Sequence, residues 1–318
     1  MATFPASAVV PTVDRPEVLA RTLTSLKSQD WCPEELIVID ASADSRTRQV
    51  VAAFAEPLRA TGCRAIWQPA LIRGAAAQRN QGVALAAQSV IWFFDDDILF
   101  EPCCVERLWS ALRDDPALGG VNAMITNQRY QPPRAASRIM FRTMAGRARD
   151  SYAGLLFGPG INLLPEDRLD LPDVVPVEWL NTTCTLYRRK ALPSPPFAEF
   201  FTGYSMMEDV TLSANVGRKW KLANARTARI YHDSQSGGFK SNAAALARME
   251  LVNRHYVMTR VLGRRRLGDY VKLAIWEMFQ LGTCALRERV GREFWLTLKG
   301  KCLGTSAIAS GLSKDSLP

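Results

Sequence analysis

Five short apolar, β-branched runs punctuate the first 126 residues, at 7–12, 36–41, 64–68, 90–94 and 121–126. Between them the apolar positions fall at helical spacing, as in Val18, Leu19, Leu23 and Leu26, or Val105, Leu108, Trp109 and Leu112. Pro16 and Pro102 stand at the expected helix starts, where a missing N–H costs nothing. This alternation admits few folds. It predicts a Rossmann-like α/β domain: a mainly parallel sheet, buried on both faces and covered by helices on each.

In open sheets of this kind ligands gather beyond the carboxyl ends of the strands. Here those ends read Pro11-Thr12-Val13-Asp14, Asp40-Ala41-Ser42 and Asp95-Asp96-Asp97. In extended chain Asp95 and Asp97 share one side while Asp96 points away. Two carboxylates about 4 Å apart repel by roughly 4 kcal/mol at an effective dielectric near 20, which calls for a proton or a cation. Hard oxygen donors suit Mg²⁺ or Mn²⁺, which also share phosphate oxygens of a substrate. An acidic triplet alone also fits a solvated loop. The run Val90-Ile91-Trp92-Phe93-Phe94 before it reads as a buried central strand, an approach a surface loop does not need.

Further along, residues 127–175 are rich in Pro and Gly with weak periodicity and read as a long irregular excursion, a lid or binding loop. A strand is expected over 177–188, a helix over 208–218 and a returning strand over 221–231. The rest is helical and basic. The formal charge of +9 is uneven: residues 218–301 hold 18 Lys and Arg against 6 Asp and Glu. Such a patch suits an anionic partner, nucleic acid or a membrane face. No nucleic-acid recognition pattern is visible, which sets that partner aside.

Arg264-Arg265-Arg266 precedes an apolar stretch at 270–286 that carries Trp276 and Phe279, and Arg287, Arg289 and Arg292 follow it. Lys272, Glu277 and Gln280 interrupt the stretch, which is short for a bilayer span. Peripheral contact with an anionic membrane is the expectation. A helical appendage packed on the catalytic domain or on a second subunit is the alternative. Seven cysteines without a CxxC pair, and no secretory signal at the start, point to a cytoplasmic location on or near the cytoplasmic leaflet.

Several motifs then occur in one order. Ala8-Val9-Val10-Pro11-Thr12 and Glu35-Leu36-Ile37-Val38-Ile39-Asp40 are followed by Arg73-Gly74-Ala75-Ala76-Ala77-Gln78-Arg79-Asn80-Gln81-Gly82. Next come Phe94-Asp95-Asp96-Asp97, Met207-Glu208-Asp209-Val210, and Gly217-Arg218-Lys219-Trp220 through Ala228 to Tyr231-His232. Over residues 7–235 the chain resembles the family 2 glycosyltransferases, inverting enzymes of the GT-A fold. The resemblance implies a GT-A domain over 1–235, with a nucleotide-binding half at 1–126 and an acceptor-binding half at 127–235, and a basic helical extension at 236–318.

It also implies roles. Pro11, Thr12, Asp40, Arg73, Arg79, Asp95 and Asp96 would bind a nucleotide-diphospho-sugar, with Asp40 at the base, the arginines near the diphosphate and Asp96 facing the ribose or sugar. Asp95 and Asp97 would hold the divalent metal, Mn²⁺ or Mg²⁺, and His232 would be a further ligand, or else a core or surface histidine. Asp209 would be the general base that takes the acceptor's proton, with Glu208 orienting it or meeting the acceptor. Trp179 would stack on the acceptor sugar, or be a buried aromatic. The acceptor would be a glycan or lipid-linked glycan in cell-surface polysaccharide or glycolipid assembly.

Two departures matter. Asp40-Ala41-Ser42-Ala43-Asp44 replaces the family's common Asp-Asp-Gly-Ser, and the Gln-x-x-Arg-Trp motif of processive synthases is absent, which favours a single addition. A sugar-phosphate nucleotidyltransferase needs a Gly-rich phosphate loop after the first strand, and Pro11-Thr12-Val13-Asp14-Arg15 has no glycine. A non-catalytic scaffold would have no use for acids kept at 95, 97 and 209.

Overall fold

The computed structural model of the chain describes residues 2–234, 242–288 and 290–311. Along it run β1 (Ala2–Thr12), α1 (Pro16–Lys27), β2 (Trp31–Asp40), α2 (Arg46–Arg59), β3 (Arg64–Pro69), α3 (Ala75–Leu85), β4 (Val90–Phe94), β5 (Ile98–Phe100), α4 (Cys104–Asp114) and β6 (Leu118–Ile125). Then follow α5 (Ala135–Ala145), β7 (Leu156–Phe157), β8 (Ile161–Asn162), β9 (Val174–Val177), β10 (Cys184–Arg188), α6 (Glu208–Val216), β11 (Lys221–His232), α7 (Ala243–Tyr256), α8 (Leu267–Glu288) and α9 (Arg292–Ala309).

Each of the five apolar runs is a strand. The main sheet has the order β3-β2-β1-β4-β10-β6-β11-β5, with β9 paired to β11. Strands β3, β2, β1 and β4 are parallel, as are β6 and β11, while β10 runs antiparallel between β4 and β6. The pleat of β1 sorts the two faces. Phe4, Ala6, Ala8 and Val10 enter a core shared with Leu19, Leu23 and Leu26 of α1, Val51 and Leu58 of α2, and Leu108 and Leu112 of α4. Val9 points the other way, onto Gly82 of α3, where an added Cβ would come within 2.3 Å of the Val9 side chain. Helices thus cover both faces, and α3 sits close on β1 because position 82 has no side chain.

Residues 127–175 are less irregular than their Pro and Gly content predicts. The segment carries α5 and the β7–β8 hairpin. Pro132 and Pro133 lie just ahead of α5, where proline is tolerated, so they do not prevent the helix. The strand expected over 177–188 is also divided: β9 ends at Val177 and β10 begins at Cys184.

The chain forms two compact units, one of residues 1–130 and 164–235, the other of 131–163 and 236–318. The excursion at 131–163, expected inside the acceptor-binding half, therefore clusters with the carboxy-terminal helices. In this second unit Phe141, Met144, Tyr152, Phe157, Ile161 and Trp276 make an aromatic core. Helices α7 and α9 meet at Gly300, where a Cβ would lie 2.3 Å from the Ala244 carbonyl oxygen.

A buried ion cluster also joins these helices. Lys301 Nζ lies 2.9 Å from Glu250 and 2.5 Å from Glu277, and Arg254 lies 2.9 Å from Glu250 and 3.5 Å from Glu277. Arg289 lies outside the described residues, as does the side chain of Arg287.

Candidate active site

All the candidate site residues belong to the first unit, and most collect at the carboxyl ends of β1 and β4 and the start of α6. Strand β4 is buried at every position, so the chain leaves the core as Asp95-Asp96-Asp97 and must turn there. Backbone bonds fix that turn: Asp95 N–H donates to the Thr183 carbonyl at 3.1 Å, and Asp233 N–H donates to the Asp97 carbonyl at 2.8 Å. The second bond ties the turn to the end of β11, and so brings in His232 from 135 positions along the chain.

Asp95, Asp97 and His232 each offer a ligand atom, and these atoms lie within 4.8 Å of one another. His232 Nε2 is 3.2 Å from Asp97 Oδ1, and its Nδ1 meets Gln128 Nε2 at 2.8 Å. Gln128 thereby sets the ring's orientation, the kind of outer partner that metal-binding histidines have. The same site holds two arginines. Arg15 reaches Asp96 Oδ1 at 2.8 Å and Asp97 Oδ2 at 3.2 Å. Arg79, 4% exposed, bonds Asp95 Oδ1 at 2.7 Å and pairs with Glu208.

Among the described residues, five carboxylates thus face two guanidinium groups and one imidazole. The electrostatic consequences follow from burial and from the uneven count. Asp96, buried and hydrogen-bonded by Thr12 Oγ1 at 2.5 Å, is pushed up to about 7 by burial against the pull of Arg15. Burial likewise lifts Glu208 to about 8 and Asp209 to about 6, with Arg79 opposing both. Burial acts to lower Arg79, yet Glu208 and Asp95 hold it above its ordinary value. Tyr204 stands 42% exposed beside this cluster, and burial and then the neighbouring acids raise its phenol.

The approach to α6 is bent: Ser205 and Met207 adopt left-handed backbone with φ of 56° and 68°, a conformation that costs a side-chain-bearing residue energy. That bend delivers Glu208 and Asp209 at the first turn of α6. Asp209 Oδ1 accepts from Val210 N–H at 2.7 Å, and the helix N-terminus favours its ionised form.

Other expected residues fall differently. Pro11 pairs with Ile39 and Thr12 with Asp40 at the carboxyl ends of β1 and β2, one strand over from the switch point between β1 and β4. Asp40 is buried, accepting from Ser42 N–H at 2.9 Å and from Trp67 Nε1–H at 3.0 Å. Arg73 is exposed and 3.6 Å from Asp14. Two residues are placed differently from their expected roles, and a third meets its alternative. Arg79 is a buried strut between Asp95 and Glu208 rather than a cation open to a diphosphate. Asp96 faces Thr12 and Arg15 instead of open cleft. Trp179, only 6% exposed, is the buried aromatic of its alternative reading.

Arg15, Gln128 and Tyr204 were not foreseen. Only Arg15 left a signal, as a cation directly after an acid-bearing strand end.

The family model described as Glycosyl transferase family 2 matches residues 7–192. Validoxylamine A glucosyltransferase of Streptomyces hygroscopicus subsp. limoneus is 34% identical over 107 residues, 33% of this chain and 23% of that protein. The chain therefore spans about a quarter of that relative's length. Among solved structures, the mannosyltransferase PcManGT from Pyrobaculum calidifontis in complex with GDP-Man and Mn²⁺ aligns with a TM-score of 0.55 at 14% identity, covering 99% of this chain and 76% of that one. GalNAc-T7 with UDP, GalNAc and Mn²⁺ aligns with a TM-score of 0.52 at 14% identity, covering 73% and 44%. At these identities the likeness is one of fold.

Proposed function

Because the chain belongs to glycosyl transferase family 2, we propose that it is an inverting, metal-dependent glycosyltransferase that moves a sugar from a nucleotide-diphospho-sugar to an acceptor hydroxyl. One observation carries the proposal: Asp95, Asp97 and His232 converge within 4.8 Å, and Arg79 links Asp95 to the acid pair at the start of α6. The GDP-Man, UDP and Mn²⁺ held by the two similar structures support a nucleotide-sugar donor and a divalent ion. The donor set fits such an ion, two hard carboxylates with one imidazole, and the nitrogen favours Mn²⁺ over Mg²⁺. When bound, the ion would supply Lewis-acid neutralisation of the charge on the departing diphosphate.

The protein's own groups do the rest. Asp209, with its pKa near 6, is ionised at neutral pH yet basic enough to take the acceptor's proton as the hydroxyl attacks. Glu208 is fixed by Arg79 and so orients the base. Arg15 holds Asp96 and Asp97 in place on the other side of the site. A single base and no covalent intermediate suit inversion with one addition per encounter. The acceptor we assign to a glycan or lipid-linked glycan at the cytoplasmic face of a membrane, reached by peripheral attachment, in cell-surface polysaccharide or glycolipid assembly.

The test is product analysis across a panel of nucleotide sugars with and without Mn²⁺. Mn²⁺-dependent release of nucleoside diphosphate is expected. Release of pyrophosphate instead would make the protein a nucleotidyltransferase, and no release from any donor would make it a scaffold. Turnover within about threefold of wild type in Asp97→Asn or Asp209→Asn would refute the assigned roles.

A further inference from the structure

Helix α8 wears apolar residues on its outside. Leu267 is 81% exposed, Val271 48%, Met278 63% and Leu286 85%. Together with exposed Ala274 they recur at helical spacing and form one stripe, about 29 Å long at the usual rise. The opposite side is packed, with Leu273, Trp276 and Glu277 buried. Over 267–286 no charged side chain is exposed: Asp269 and Lys272 are half-buried, and Lys272 donates to the Met144 carbonyl at 3.1 Å. An ordinary surface helix has the reverse pattern, charge outside and apolar residues within. A stripe of this length marks a contact surface.

Charge selects the occupant. The second unit carries 19 Lys and Arg against 7 Asp and Glu, a net of +12, which leaves the first unit at −3. A second copy laid on this face would bring the same excess against it, whereas an anionic leaflet neutralises it. Arg138 and Arg142 are exposed on α5, whose Phe141 packs against Trp276 of α8, and exposed Arg266 directly precedes the stripe. Arg264 and Arg265 are partly committed elsewhere, bonding the carbonyls of Gly158 and Thr259. Among the described residues no helix is long and apolar enough to cross a membrane, so α8 would lie in the plane of the interface.

We propose that the second unit docks on an anionic bilayer surface through the stripe Leu267, Val271, Met278 and Leu286, with Arg138, Arg142 and Arg266 supplying the positive field around it. The proposal rests on the peripheral-attachment reading above and adds the surface that makes the contact.

The experiment is co-sedimentation of the full chain, without donor or metal, with phosphatidylcholine vesicles that contain or lack phosphatidylglycerol. Wild type should pellet with the anionic vesicles only. Val271→Asp/Met278→Asp should bind about tenfold less, and Arg138→Glu/Arg142→Glu should bind less and lose its sensitivity to salt. Wild type that ignores anionic vesicles, or both variants binding like wild type, would overturn the proposal. So would light scattering that finds a dimer which Val271→Asp/Met278→Asp dissociates while vesicle binding is unchanged, since a second copy would then cover the stripe.

Release of nucleoside diphosphate, assayed on the same preparations, separates the two readings. Vesicle binding without turnover sinks the transferase and leaves the surface standing, and turnover without vesicle binding does the opposite. Retained turnover in the Asp variant also establishes that it folds, and should it not, the Arg variant decides.

Discussion

The two units each hold a cluster of ionisable side chains, and the clusters differ in arithmetic. In the second unit two carboxylates, Glu250 and Glu277, meet two cations, Arg254 and Lys301. In the first, among the described residues, Asp95, Asp96, Asp97, Glu208 and Asp209 meet Arg15 and Arg79, and Asp97 also meets His232. The titration directions follow. Burial acts to raise Glu250, but Arg254 and Lys301 hold it below its ordinary value, whereas Asp96, Glu208 and Asp209 all sit above theirs. A matched cluster is complete as it folds. An unmatched one is finished by something from outside, which is why the first reads as a site and the second as a fastening.

The largest effect should separate them by activity. Asp97→Asn and Asp209→Asn are expected to lower turnover by about 10²–10⁴-fold, measured as nucleoside diphosphate release, while Lys301→Met leaves turnover per folded molecule near wild type. Comparable losses in all three would erase the distinction.

Stability should divide them the other way. Lys301→Met leaves Glu250 and Glu277 to share Arg254 alone and should cost about 3 kcal/mol in chemical denaturation, with Lys301→Met/Glu277→Leu recovering much of it. Asp97→Asn, measured in chelator, should cost far less because it relieves repulsion. If it costs as much, the cleft is balanced after all.

Mn²⁺ sharpens the contrast further. At a hundredfold excess over its dissociation constant it should stabilise wild type and Lys301→Met by about 2.7 kcal/mol, read as a thermal shift, and Asp97→Asn hardly at all.

The pH dependence is smaller and has a definite sign. A carboxyl whose folded pKa is raised contributes stability that is full below the unfolded value and is lost as pH rises through the folded one. For Asp96 that window runs from about 4 to about 7, and for Asp209 from about 4 to about 6. In chelator, the melting temperature of Asp96→Asn relative to wild type should therefore climb by a few degrees between pH 5 and pH 8. A flat difference would remove the burial argument for Asp96. The smallest effect belongs to Arg168 and Asp170, an exposed pair at 2.7 Å, where Asp170→Asn should leave the denaturation midpoint unmoved.

Strand spacing was legible throughout the first 126 residues because period-two burial and helical spacing are local signals. Helix α5 was not, since its Pro and Gly neighbours masked an eleven-residue helix whose apolar side meets residues more than 100 positions away. The site divides in the same manner. Asp95, Asp97, Glu208 and Asp209 stood out as acids at element ends. Gln128 and Tyr204 carried no mark, because a neutral amide and a phenol acquire meaning only from what lies beside them. Arg79 was placed near the site, but its role as a strut depended on Glu208, 129 positions later.

The chain's residues by themselves determined the alternating α/β plan, the acidic strand ends and the concentration of positive charge towards the carboxy terminus. Each is a property of neighbours in sequence. Only the tertiary structure decided that 131–163 joins the carboxy-terminal helices, that His232 closes on Asp97, and that α8 turns its uncharged stripe outward. Those outcomes depend on which distant surfaces pack against each other, and burial, charge balance and exposure have no value until that packing is complete.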